Sequence, residues 1–198
     1  KRLYQSGTGG IVRVTSGTSL SISDYFCPQA TNAALVVDDG FVYAANVYSG
    51  NNSASPGRIV LQGTNAQFQV GGAFYAKSYP GQLAIDFLIP EGGYARGTNA
   101  PLWSAGSSSV FMQSGSKTNC VINVLKTSPA ANAGLDRDFQ LIQWAKGLYT
   151  NNIVLGALPH PNGDYFYWTY DKGTARSGTT ITGLGCHLKR AGCVIILR

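Results

Sequence analysis

The sequence is short of charged residues. Asp, Glu, Lys and Arg make up 12% of its 198 residues, about half the share of roughly 25% in ordinary globular domains. Glu91 is the only glutamate, and Met112 is the only methionine. Aromatic residues still make up 11%, so the composition does not indicate a disordered chain. Gly, Ser, Thr and Asn take the place of the missing charges, which suits a protein that meets other surfaces without strong electrostatic steering.

The basic residues are scattered, although the net charge is +6. Lys1-Arg2 and Lys189-Arg190 are the only adjacent basic pairs. Nucleic-acid binders usually carry a clustered basic stripe with interleaved aromatic residues, so no nucleic-acid partner is expected. No apolar run reaches the roughly 20 residues that span a bilayer, and no membrane insertion is expected.

Residues for catalysis or metal binding are also scarce. A Ser-His-Asp triad would need one of the two histidines, His160 and His187, and no Gly-x-Ser-x-Gly motif is present. Most of the nine acidic residues lie in predicted turns, which does not favour the facing carboxylates of a glycosidase. The sequence has no Cys-x-x-Cys spacing for zinc. We therefore predict a binding protein rather than an enzyme, with no cofactor and no metal.

Four cysteines are present, Cys27, Cys120, Cys186 and Cys193. One interpretation is that all of them are small buried thiols. The alternative is a disulfide between Cys186 and Cys193, because the short segment between them suits a hairpin turn that would bring them together. Four cysteines allow three full pairings, and the sequence does not choose among them.

Strand signals recur at short intervals, separated by Gly, Pro, Asn and Ser. Asp38-Asp39-Gly40 lies between two apolar runs and predicts a hairpin. The segment Phe139–Ala145 fits a helix or a strand, and we favour the strand. No fixed repeat is visible, which argues against a solenoid or propeller. The prediction is an all-β protein with a single domain over residues 1–198, folded as one antiparallel β-barrel or sandwich of about a dozen short strands with long polar loops.

The segment Pro159–Tyr170 is unusually rich in aromatic residues. As a strand, it places Trp168 on one face and Tyr165 and Tyr167 on the other. If Trp168 faces the core, the two tyrosines lie beside a Pro-rich loop, where they suit glycan stacking or a protein contact. The alternative is ordinary cross-strand aromatic packing. The predicted receptor-binding residues are His160, Asn162, Asp164, Tyr165 and Tyr167.

A β-domain that is poor in charge, rich in polar loops and bounded by the basic residues Lys1-Arg2 and Arg198 resembles the surface projections of non-enveloped viruses. It is most similar in character to the spike of astroviruses, which trypsin-like cleavage releases. The resemblance implies an excised fragment on the virion surface that binds a host-cell receptor, either a glycan or a protein. It also implies a homodimer.

Two other kinds of protein share this character. Leu102-Trp103-Ser104 resembles the Leu-Trp-Thr of mammalian adenovirus fibre heads, and a fibre head of an adenovirus or phage implies a trimer. The other is a carbohydrate-binding module, which implies a monomer. A dimer is favoured over a trimer.

Overall fold

The computed structural model describes residues 1–5, 9–28, 32–49, 57–76, 83–90, 93–94, 99–106, 110–112, 120–127, 137–159, 165–175 and 178–189. Strands dominate these ranges, and their only helix is a 3-10 turn at Thr150–Asn152. The expected near-absence of helix is therefore confirmed. In the described ranges, no helix has the length and apolar character needed to cross a bilayer.

One sheet has six strands, and every pairing within it is parallel. Its strands, in spatial order, are β13 (Ile153–Leu155), β11 (Cys120–Thr127), β9 (Leu83–Ile89), β6 (Arg58–Gln62), β4 (Ala34–Asp38) and β2 (Ile11–Thr15).

The other sheet has nine strands and is mixed. Its main path runs through β1 (Leu3–Gln5), β3 (Ser19–Pro28), β5 (Phe41–Ser49), β7 (Gln67–Val70), β10 (Leu102–Ser104), β12 (Arg137–Trp144), β15 (Gly178–Lys189) and β14 (Tyr165–Ala175). Strand β8 (Phe74–Ala76) pairs with the end of β5. Only β12–β15 and β14–β15 are antiparallel. The strand predicted at Phe139–Ala145 is confirmed by β12.

Apart from β7 and β8, which both lie in the nine-stranded sheet, the chain alternates between the two sheets from β2 to β13, so that successive turns of a coil stack on one another. This is the connectivity of a parallel β-solenoid, and the predicted antiparallel barrel or sandwich is wrong. The argument against a solenoid fails because the turns differ in length. Residues that stack in one register are Ile11, Ala34, Arg58, Ala84, Val121 and Val154, and such uneven spacing leaves no fixed period in the sequence.

The predicted hairpin at Asp38-Asp39-Gly40 is also wrong. The turn exists, but β4 before it and β5 after it lie in different sheets. Asp39 adopts a positive φ of 61°. A Cβ on Gly40 would lie 2.8 Å from the carbonyl oxygens of Val14 and Thr15, so the turn packs directly on the preceding turn of the coil. The sequence signal therefore marked a corner between sheets.

The core consists of apolar ladders that run along the coil. A register shift divides β3 into two halves. The first half pairs with the start of β5, and the second half pairs with β1 and with the end of β5. The ladder that follows continues through parallel pairs from turn to turn and is buried throughout. Its members are Phe26, Val47, Phe74, Phe111 and Leu148.

Candidate functional site

A row of amide and aromatic side chains crosses the outer side of the nine-stranded sheet. We call it the amide–aromatic row, and its members are consecutive register partners on β5, β7, β10 and β12. They are Tyr43, Gln69, Trp103 and Gln143. All four are half-buried, whereas their strand neighbours, such as Val42 and Phe68, are fully buried. This period-two alternation places the row on the solvent side of the sheet.

Tyr43 lies across the sheet surface. A Cβ on Gly71, the residue after β7, would lie 2.6 Å from the Tyr43 hydroxyl oxygen. The ring therefore reaches over the neighbouring strand rather than standing upright. A ring that lies along a sheet presents an apolar face together with a polar hydroxyl, which is the geometry for stacking on a flat ligand.

Trp103 occupies the middle of the row, between two glutamines. Its indole Nε1 is buried and has no hydrogen-bond partner, which is unusual for a buried donor. Gln143 Oε1 accepts a hydrogen bond from the Ala100 backbone N–H at 3.4 Å, so its amide group is anchored on one side. Because adjacent strands lie ~4.8 Å apart, the Tyr43 and Trp103 strands are separated by ~10 Å.

A tyrosine cluster lies at the end of the same sheet. The Tyr4 and Tyr25 rings pack edge to face with centroids 5.4 Å apart, and Tyr25 contacts Tyr48 at 5.2 Å. The Arg2 guanidinium lies 4.8 Å above the Tyr25 ring and forms an ion pair with Asp24 at 2.8 Å. One face of Tyr25 is therefore already covered by Arg2.

Hydrogen bonds set the protonation of this cluster. The hydroxyl groups of Tyr4 and Tyr25 are hydrogen-bonded, and this bond, with some desolvation, raises the pKa of Tyr25. The hydrogen bond to Asp24 raises the pKa of Arg2. Both shifts favour the protonated forms, and the cluster offers packing and hydrogen-bonding surface.

The predicted receptor-binding residues lie in a different region. Tyr165 and Tyr167 are on β14, whereas His160, Asn162 and Asp164 fall outside the described residues. Trp168 packs partly buried against the core. The next residue, Thr169, contacts Gly185, since a Cβ on that glycine would lie 3.1 Å from the Thr169 hydroxyl oxygen.

Sequence reasoning missed a side-chain hydrogen bond beside this region. His187 Nδ1 lies 2.7 Å from Asp138 Oδ1, and the backbone of His187 pairs with both Asp138 and Tyr167. His187 is 16% exposed and Asp138 is 80% exposed. The two residues are far apart in the sequence, and only the antiparallel pairing of β12 with β15 brings them together.

The described cysteines are buried. Burial raises the pKa of the Cys186 thiol to about 12, with a further contribution from the nearby Asp138, and burial raises the pKa of Cys120 as well. Among the described residues Cys186 is bonded to no other cysteine, and its predicted partner Cys193 lies outside them, so the disulfide stays a prediction. Within the part of the chain that the structure describes, no three His, Cys, Asp or Glu side chains gather into a metal site.

The chain matches no known protein family, no curated protein and no solved structure. The function is therefore inferred from the geometry of the chain's own surface. Of the exterior features, the amide–aromatic row combines ring faces, amide groups and a flat rigid support. Polar and apolar residues alternate clearly in the sequence of β7 but not in that of β5. No strand's sequence shows that the four strands stack in register.

Proposed function

We propose that this chain is the receptor-binding projection of a non-enveloped virus particle, and that it attaches to host cells by binding a glycan along the amide–aromatic row. The observation that carries the proposal is the register of Tyr43, Gln69, Trp103 and Gln143 on four adjacent strands. Tyrosine and tryptophan rings supply rigid apolar contact area. The intervening amides supply both donors and acceptors for sugar hydroxyl groups.

The backbone beneath the row supports this function. Each strand of the row is hydrogen-bonded on both sides within the nine-stranded sheet, and its inward side chains, such as Leu102 and Ile142, are fully buried. A rigid support keeps the rings in place before the ligand arrives, so less conformational entropy is lost on binding. A ligand that extends along the coil would contact the two rings in succession.

Glycan-array screening followed by calorimetry tests the proposal. We expect Trp103→Ala and Tyr43→Ala each to weaken glycan binding about ten-fold or more, as for aromatic hot spots, while the fold is retained. Tyr4→Ala is the matched control, because Tyr4 is an exposed tyrosine outside the row. Normal binding by both row variants would refute the site.

A positioning variant sharpens this test. Gly71→Ala places a Cβ 2.6 Å from the Tyr43 hydroxyl oxygen, which is too close for contact, so the ring must shift although it is still present. We expect weaker glycan binding with little change in thermal stability. Binding that is unaffected by Gly71→Ala but lost in Tyr43→Ala would mean that the orientation of the ring is unimportant.

The same row would equally serve a carbohydrate-binding module, which is the second candidate function. Light scattering coupled to size exclusion separates the two. The virion projection predicts a stable homodimer, a fibre head predicts a trimer, and a module predicts a monomer at high micromolar concentration. Attachment to cultured cells, competed by the glycan found on the array, tests the virion-surface role directly.

A further inference from the structure

A groove lies on the outer side of the six-stranded sheet, away from the amide–aromatic row. Its volume is about 380 Å³, which falls in the range of small-molecule sites, roughly 300–1,000 Å³. Its floor is apolar, and Asn32 and Arg58 add polar groups. The floor residues are Ala34, Val36, Val60 and Ala84.

A buried carboxylate stands behind Arg58. Asp86 is fully buried, and its Oδ2 lies 3.0 Å from Arg58 Nε. The Nε–H is not directed at this oxygen, since Oδ2 has no hydrogen-bond donor, so the contact is an ion pair without a hydrogen bond. Asp86 Oδ1 accepts a hydrogen bond from Asn123 Nδ2 at 2.8 Å. Asn123 is itself held, because its Oδ1 accepts the Ala157 backbone N–H at 3.2 Å.

Arg58 is only partly used by this pair. Its side chain is 54% exposed, and among the described residues Asp86 is the only carboxylate within ion-pair distance of it. Asp86 approaches Nε, on one edge of the guanidinium. The edge formed by the two terminal amino groups has the spacing to bind a carboxylate with two parallel hydrogen bonds.

We infer that the groove binds the carboxylate of an N-acylated sugar acid. Arg58 receives the carboxylate, the apolar floor receives the acyl methyl group, and the Asn32 amide bonds to a hydroxyl or amide of the ligand. A second arginine on the same sheet, Arg13, adds positive potential, although Asp38 lies 2.6 Å from it. This inference does not depend on the proposed function, because the two sites lie on different sheets.

The competing explanation is that Arg58 only neutralises Asp86. Under that explanation, Arg58 needs no ligand, and the wild-type chain would not prefer a carboxylate to its neutral ester. Under our inference, Asp86 opposes the ligand carboxylate by like charge while it holds Arg58 in place. The two explanations therefore differ in whether the wild-type chain binds the acid more tightly than the ester.

Titration followed by NMR tests the inference, with N-acetylneuraminic acid and its methyl ester as probes. The ester keeps the sugar and removes only the charge. We expect the wild-type chain to bind the acid with a Kd on the order of millimolar. We expect it to bind the ester more weakly by a factor of about ten or more. We expect Asp86→Asn to bind the acid at least as tightly as wild type, and Arg58→Lys to bind it about ten-fold more weakly, because the two-bond geometry is lost.

Loss of folding is controlled by a double variant. Arg58→Gln alone leaves Asp86 buried without its counter-charge, whereas Arg58→Gln with Asp86→Asn removes both charges. We expect the double variant to melt cooperatively and to bind neither probe. Equal binding of acid and ester, acid binding by the folded double variant, or no binding of the acid by wild type at tens of millimolar would each overturn the inference. Acid-induced shift changes at Arg58 and its neighbours, and not at Trp103, would keep this result separate from the glycan row.

Discussion

Asp39 Oδ1 accepts two hydrogen bonds from Asn65, one from its backbone N–H at 2.7 Å and one from its side-chain Nδ2 at 3.1 Å. The pair joins two successive corners of the coil, since Asp39 lies between β4 and β5 and Asn65 lies between β6 and β7. The Asp39 backbone N–H also donates to the Gln62 carbonyl oxygen at 2.8 Å. Stacking of the turns is thus held by side-chain bonds at a corner as well as by the sheets.

Removal of the Asp39 side chain should destabilise the coil. We expect Asp39→Ala to lower the free energy of unfolding by about 1–3 kcal/mol, because a charged acceptor is lost and a positive φ is left to alanine. Asp39→Asn is the matched control, since Asn tolerates this backbone conformation and keeps one acceptor oxygen. Urea unfolding measures both variants, and an unchanged stability of Asp39→Ala would contradict the prediction.

The same carboxylate predicts a dependence of stability on pH. The backbone hydrogen bond from Asn65, helped by side-chain hydrogen bonds, lowers the pKa of Asp39 in the folded state. Its contribution is therefore complete above the unfolded pKa of about 3.9 and is lost as the pH falls through the folded value. We expect the stability difference between wild type and Asp39→Asn to shrink from pH 7 to pH 2 in urea unfolding. A constant difference would mean that ionisation of Asp39 does not matter.

Two phenylalanines provide a matched test of the core. Phe74 is fully buried and contacts Phe111 and Trp144, with ring centroids 4.7 Å and 5.9 Å away, whereas Phe41 is 38% exposed. We expect Phe74→Ala to lower the free energy of unfolding by about 3–5 kcal/mol and Phe41→Ala by about 1 kcal/mol or less. Similar losses in denaturant unfolding would show that the Phe74 ladder is not the centre of the core.

Cysteine chemistry should report on the integrity of the coil. Cys120 and Cys186 are buried, and their raised pKa values keep them as thiols at neutral pH. We expect both to resist iodoacetamide in the native protein at pH 8 and to react in denaturant with a reductant present, because the thiolate is the nucleophile. Peptide mass spectrometry locates the adducts. Rapid native labelling of either residue would contradict the burial that the structure shows.

A comparison of two sites decides where attachment occurs. The first site is the amide–aromatic row, and the second is the sequence-predicted site at Tyr165 and Tyr167. If the row binds the receptor, Trp103→Ala should lose cell binding and Tyr167→Ala should keep it. The reverse result would support the β14 site instead. Circular dichroism of both variants confirms that each is folded before binding is compared.

The local sequence pattern was sufficient to predict strands such as β9 and β12 and to indicate which of their side chains face the core. Leu83, Ile85, Phe87 and Ile89 alternate along β9 in the sequence, and all four are buried. The strand at β12 and the scarcity of helix followed from the same period of two. Alternation depends only on which side of a strand meets the core, so it holds whatever strand lies alongside.

Only the tertiary structure decided which strands are neighbours. The apolar runs of β4 and β5 are compatible with a hairpin or with two sheets, and the turn Asp38-Asp39-Gly40 suits either. In the coil, partners such as Ala34 and Arg58, or Gln69 and Trp103, come from successive turns of unequal length. Non-local backbone hydrogen bonds create the amide–aromatic row, the Arg58–Asp86 groove and the Asp138–His187 pair, and the local pattern carries no information about those bonds.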